Sequence, residues 1–304
     1  MERTTLGFYA QAHGMTDAGH YASQLRDLPN DVGALAQLIQ HLVIYDVVAR
    51  DFYQVTIPAA REAEIHIRPL EGLLHAIVAL EDRPLTVARP TNRRLVGRCH
   101  HFVLLLVAML RAGGVPARAR AGFGAYFNPP HYEDHWVCEY WNASESRWAL
   151  ADPQFDQTWR TRLAVDHDIL DVPRDRFLVA GEAWKRCRAG RADPNRFGID
   201  FVKLRGLWFI AGSLIRDIAA LNKIEMLPWD VWGAQPPKDA TLDEEQLVYF
   251  DQLAELTIEP DASLERVRER YAREDGLRVP GSVVNSLRNR TEAIPAVVRE
   301  VAPG

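Results

Sequence analysis

The chain has 304 residues, 47% of them hydrophobic and 25% charged, with 36 Lys and Arg against 41 Asp and Glu for a formal charge of -5. This is an ordinary soluble composition, and mild acidity without a Lys/Arg tract argues against a nucleic-acid partner, because counterion release needs clustered positive charge. The longest uninterrupted apolar run, Phe102 to Leu110, is nine residues, well short of the roughly 20 that span a bilayer; no membrane partner is expected.

The opening residues lack an apolar stretch of signal-peptide length, so the expected location is the cytoplasm. Cys99, Cys138 and Cys187 are an odd, sparse set with no CxxC and no zinc-finger spacing. A disulfide framework is excluded, and each cysteine is either a small buried hydrophobe or a reactive thiol.

In chain order, Asp31 is placed to cap a helix in which Leu35, Leu38, Ile39, Leu42 and Tyr45 share a face and which runs to about Phe52. A second helix is expected over Leu70 to Leu80. From Gly97 the sequence GRCHHFVLLLVAMLRAGG is too continuously apolar for a surface helix and too long for one strand. It reads as a helix buried on nearly every side and stopped by Gly113 and Gly114. Short strands are expected near 117–127, 134–141 and 147–151. A helical stripe follows from Leu204 through Leu207, Trp208, Ala211, Leu214, Ile215 and Ile218 to Asn222, closed by LPWDVWG. Thr241 and Glu244 form a capping-box pattern for a helix to about Leu256. Ser263 opens another helix, and a loosely packed tail is expected past Pro280.

Three residues carry candidate chemistry. Cys99 falls at the expected start of the buried helix, where free backbone N–H groups and the helix dipole favour a thiolate. His135 lies on a strand whose alternation sends His135, Val137 and Glu139 to one face, and a rigidly held imidazole suits a general base. Asp152 ends the next strand, where a carboxylate can fix a histidine tautomer. Taken singly, each is more often a packing residue or a turn former. The order Cys, His, Asp on a helix and then two strands is what makes them a set. His100 and His101 beside Cys99 point about 100 degrees apart on a helix and converge poorly on one ion; no metal and no cofactor are expected. His131 in the NPPHYED loop and Asp156 beyond the strand are the rivals of His135 and Asp152. Cys138 and Cys187 are expected to be structural thiols.

The stretches GRCHHFVLLLVAMLRAGGVPARARAGF, DHWVCEYW and RWALADPQFD resemble the transglutaminase-like superfamily, over roughly Asn92 to Phe155. The block Leu204 to Gly233 also looks like the C-terminal part of bacterial members. The resemblance implies an α+β fold: a papain-like, transglutaminase-type core with a central buried helix on a small antiparallel sheet, elaborated by helices at both ends. It implies residues 1–90 as the N-terminal helical part, 91–180 as the catalytic core and 181–304 as a helical extension. It further implies Cys99 as nucleophile, His135 as base and Asp152 as its orienter, in thiol-dependent acyl transfer on a peptide, protein or small acyl substrate, ending in hydrolysis or transfer to an amine acceptor. A non-catalytic binding or scaffold domain is the alternative. Asn92 is the candidate side-chain oxyanion donor beside the Cys99 N–H, and Trp136, His100 and His131 are candidate pocket residues. The chain departs from the family pattern where His100 and His101 follow the cysteine and where Trp136 follows His135 directly.

Overall fold

A computed structural model describes residues 2–300 and divides the chain into two compact units that interleave in sequence. The first comprises Leu6–Arg118 and Val137–Val172; the second comprises Met1–Thr5, Ala119–Trp136 and Pro173–Gly304.

In the first unit, helix α1 (Val32–Leu42) starts where Asp31 Oδ1 accepts the Ala34 N–H at 2.8 Å. It ends ten residues before the expected Phe52. Val43, Ile44 and Tyr45 form strand β1 (Val43–Tyr45), parallel to β2 (Leu95–Gly97) in the register Val43↔Leu95 and Tyr45↔Gly97. Consecutive apolar and β-branched residues bury better in a strand closed on both sides than on one helix stripe. Between the two strands lies α2 (Leu70–Leu80), which buries Leu70, Leu73, Leu74 and Ile77.

Helix α3 (Cys99–Ala112) has every residue from Cys99 to Arg111 buried. Packing rather than amphipathicity holds it: α1, α2, the turn Gly14–Thr16 and β1 and β2 surround it within this unit. Gly113 is its C-cap, and Gly114 follows at φ +76°, a conformation that glycine adopts without a Cβ penalty. Arg111, the one Lys or Arg of the helix, donates from Nε to the Ala117 carbonyl at 2.9 Å and from Nη1 to Thr16 Oγ1 at 2.8 Å.

Strands β3 (Ala117–Gly124), β4 (Tyr132–Asn142) and β5 (Arg147–Ala151) follow as the alternation implies. β4 and β5 are antiparallel, with Cys138↔Ala151 and Trp141↔Trp148 as partners. The unit boundary crosses β3 after Arg118 and β4 after Trp136. Arg118 is buried and bonded to Glu139 at 2.7 Å. Its guanidinium lies 4.0 Å from the Trp148 ring centroid and 4.9 Å from that of Tyr9, so charge and π faces together replace its lost water.

In the second unit, β6 (Phe177–Val179) pairs antiparallel with β3, from Gly122↔Val179 to Gly124↔Phe177. After α4 (Ala180–Arg188), β7 (Phe197–Ile199) runs parallel to the start of β4, and β8 (Leu204–Arg205) antiparallel to β7. The strand order is β6-β3-β4-β7-β8, with β5 on β4. Helix α5 (Leu207–Leu221) begins three residues after the expected Leu204, which belongs to β8. Its buried Asp217 takes the second arginine of β3, with Arg120 Nη2 at 2.9 Å from Oδ2 and the Ala121 N–H at 2.9 Å from Oδ1.

The C-terminal part differs from the expectations at four points. β9 (Asp230–Val231) occupies the LPWDVWG segment. α6 (Glu244–Ile258) is capped by Asp243 with Gln246, two residues beyond the expected Thr241 and Glu244 pair. α7 (Pro260–Arg273) opens at Pro260 and not at Ser263, because proline suits the first helical position, where its missing N–H costs nothing. The expected loose tail is a hairpin, β10 (Ser282–Asn285) and β11 (Arg290–Ala293). β10 also pairs with β9 through Val284↔Val231 and Asn285↔Asp230. Val283, Ile294 and Val298 are buried; the alternation SVVN is simply too short to read as a strand without its partner. The fold is α+β.

Candidate active site

Cys99 is the first residue of α3 and is 5% exposed. The helix start is held by polar ties from several sides. Arg98, the N-cap, sends Nε to Asp46 Oδ1 at 3.0 Å and Nη2 to Oδ2 at 2.9 Å, a two-pronged ion pair with the residue that follows β1. The Arg98 N–H donates to His101 Nδ1 at 3.0 Å. His101 thereby fills the place that Glu or Gln takes at the third position of a capping box. Complete burial pulls its pKa down to about 4; the ring is neutral, with Nδ1 as acceptor. Upstream, the Val96 N–H donates to Glu64 Oε2 at 2.7 Å, and Arg61 grips the same carboxylate at 2.8 Å. Gly97 is required here: a Cβ would lie 2.8 Å from Val43 Cγ1 and 3.1 Å from His101 Cβ. A side chain at Gly97 would force β2 away from Val43 of β1 and from His101 in the first turn of α3, displacing the helix start that carries Cys99.

Asp152 is 1% exposed just past β5. Its N–H donates to the Ile169 carbonyl at 2.7 Å, and its Oδ1 accepts the Gln154 N–H at 3.2 Å. Gln40 on α1 steadies the corner by donating to the Pro153 carbonyl at 3.3 Å. Asp156 has a different role. It caps the short helix Gln157–Arg162 through Trp159 N–H at 3.0 Å and accepts Tyr53 Oη at 2.7 Å.

His135 belongs to the second unit and is 2% exposed. Its ring stands edge-on to Phe127 at 4.8 Å between centroids, with Tyr126 at 6.1 Å and Phe177 at 6.3 Å. These aromatics fix its plane. Beside it, burial lifts the Glu133 carboxyl to about 7, although the Asp200 N–H donates to Oε2 at 3.2 Å.

The remaining candidates divide. His100 and Trp136 are wholly buried. Asn92 is exposed on a short turn, and its backbone carbonyl accepts from Arg61 Nη1 at 2.9 Å. His131 lines a cleft in the second unit. Burial raises the Cys138 thiol far above its ordinary range, and burial with the Asp193 charge pushes Cys187 up to about 12. Both stay protonated thiols at neutral pH. Among the described residues no group of three or more His, Cys, Asp or Glu side chains could hold a metal ion. Sequence reasoning missed Asp46, Arg98 and Glu64. Only the buried-helix start at Cys99 pointed to a frame there.

Residues 80–153 match the family described as the transglutaminase-like superfamily. No curated protein matches the chain. Among solved structures, one described as "a Putative Cysteine Protease from Cytophaga hutchinsonii" shares 16% identity, at a TM-score of 0.33 over 56% of this chain and 44% of that one. The chain thus spans less than half of that protein's length. The matched segment runs from Leu80, the last residue of α2, through β2, α3, β3, β4 and β5 and contains Cys99, His135 and Asp152. Over this segment, residues 80–153, about a quarter of its length, the chain is similar to the transglutaminase-like superfamily.

Proposed function

We propose that the protein is a thiol acyltransferase or amidohydrolase in which Cys99 is the nucleophile, His135 the base and Asp152 the residue that orients it. The observation that carries this reading is the placement of Cys99 as the first residue of a fully buried helix, braced by Arg98, Asp46 and His101, inside the segment that matches the family. Two further features support it. Alternation along β4 groups His135 with Val137, and Asp152 directly follows β5, where the Ile169 carbonyl and the Gln154 N–H hold it.

In the proposed reaction the Cys99 sulfur bonds to an amide carbonyl carbon, and the backbone N–H groups at the start of α3 stabilise the oxyanion. The C–N bond breaks as the imidazolium of His135 gives its proton to the leaving amine. Water or a second amine then attacks the thioester, loses its proton to His135 and frees the thiol. A reducing cytoplasm suits a thiol nucleophile that shares the chain with two further free cysteines.

Intact-mass spectrometry after incubation with a peptide thioester tests the reading. The expected adduct equals the acyl group, maps to Cys99, and is absent in Cys99→Ser. In His135→Ala it forms at least about a hundredfold more slowly. An adduct on Cys187, or one indifferent to His135, would contradict the assignment.

A further inference from the structure

The second unit contains a cleft of about 410 Å³ at the start of β4, bordered by Asn128, His131, Asn195, Arg196, Arg205 and two aspartates, Asp193 and Asp200. That volume suits a small molecule or the end of a chain. Its carboxylates are already engaged. Asp193 accepts the Asn195 N–H at 2.9 Å to cap its own turn, and Asp200 receives Lys203 Nζ at 2.9 Å and Asn128 Nδ2 at 3.2 Å. Its strongest donors are not. Arg196 has no ion pair among the described residues, and Arg205 reaches Asp200 only at 3.9 Å. The balance of free valences therefore favours an anion.

His131 adds a second, independent sign of a ligand. It is 8% exposed, its ring bonds to the Gly198 backbone, and its Nε2 is buried with no hydrogen-bond partner. The nearest carboxylate oxygen, Glu133 Oε2, stands 3.9 Å away, beyond hydrogen-bond reach. Burial favours the neutral imidazole, and with its ring N–H given to the Gly198 backbone, Nε2 is the nitrogen left with a lone pair. A buried acceptor in that state is unusual and asks for an N–H or O–H from elsewhere.

We propose that this cleft binds a carboxylate whose neighbouring carbon bears an N–H, the chemistry shared by a free amino acid and a peptide C-terminus. Arg196 and Arg205 take the carboxylate, a geometry that guanidinium groups match with paired hydrogen bonds. His131 Nε2 accepts the N–H. All the residues lie in one unit, and the site does not depend on the thiol chemistry proposed above.

The test titrates N-acetyl-alanine, L-alanine and N-acetyl-alanine amide into the full-length protein. Binding is read from the histidine ring signals of ¹³C-labelled protein, with His131 assigned through His131→Gln. N-acetyl-alanine or L-alanine is expected to shift the His131 signal, while the amide binds at least about tenfold more weakly for want of the charged carboxylate. Tighter binding of L-alanine assigns a free amino acid, and tighter binding of the acetylated compound assigns a peptide end. Arg196→Gln and Arg205→Gln are each expected to weaken the acid severalfold and leave the circular dichroism unchanged. Both alter partly exposed side chains, so either suffices if the other fails to fold. Equal binding of acid and amide, no shift up to about 50 mM ligand, or wild-type affinity in both variants would overturn the proposal. The same titration in Cys99→Ala should be unchanged, which separates this site from the thiol reading.

Discussion

Two buried cysteines sit in surroundings that differ in kind. Around Cys138, in the middle of β4, both strand faces are covered: Trp136 and Val137 are wholly buried and Glu139 is locked to Arg118. Around Cys99 the chain instead concentrates polar ties, with Arg98 on Asp46, His101 on the Arg98 N–H and Glu64 on Val96. Cys138 is wholly buried and Cys99 is 5% exposed, and Cys99 stands at a helix start within a fixed polar frame. Burial alone disfavours a thiolate, whereas a helix start favours one, and it is at such a start that the proposed nucleophile stands.

The comparison breaks most visibly at the cysteines. Cys99→Ala should abolish alkylation by iodoacetamide at neutral pH, and Cys138→Ala should leave it within about twofold, as peptide mapping would show. Next in size is the ion pair that seals β4: Glu139→Ala strands a buried guanidinium and should cost about 3–5 kcal/mol in urea unfolding. Removing a brace at the other site is smaller. Asp46→Asn should cost about 1.5–3 kcal/mol and slow Cys99 alkylation severalfold, leaving the second unit's aromatic cluster near His135 intact by near-UV circular dichroism.

His101 gives the frame a pH dependence. Its folded pKa, about 4, lies below the ordinary 6.5. Between these values the unfolded chain binds the extra proton, so its stabilisation is complete above 6.5 and falls as the solution is acidified. Going to pH 5 should cost about 2 kcal/mol. Glu133, raised from 4.5 to about 7, acts oppositely, losing stability as pH rises through that window. The measurement is therefore the difference in urea midpoint between wild type and His101→Gln at pH 5 and pH 7. Gln keeps an acceptor for the Arg98 N–H and does not titrate, so the variant should lack this share of the acid sensitivity. The smallest effect belongs to Cys187→Ala, within about 0.5 kcal/mol.

What could be read in the sequence was local. The run from Cys99 to Ala112 is so apolar that only a buried helix accommodates it, and alternation in DHWVCEYW and RWALA marks two strands whose register the turn NASES fixes. Long-range pairing was not legible. Val43 to Tyr45 become a strand only because Leu95 to Gly97 lie alongside, and Val283 is buried only because β9 accepts β10. Likewise the ARAR of β3 reads as a surface pattern until Glu139 and Asp217, 21 and 97 residues from their partners, arrive to neutralise it. At the candidate site, Cys99 stood out through its helix terminus, whereas Asp46 and Glu64 carried no signal because their partners are distant in sequence.

The central claim, that Cys99 is activated by His135, is tested most directly by the rate of Cys99 alkylation at pH 7 in wild type and in His135→Ala, with each cysteine quantified by peptide mapping. The account predicts that the His135 variant labels Cys99 at least about tenfold more slowly while its circular dichroism stays that of the wild type. Equal rates in the two proteins, or faster labelling of Cys187 than of Cys99 in the wild type, would contradict it.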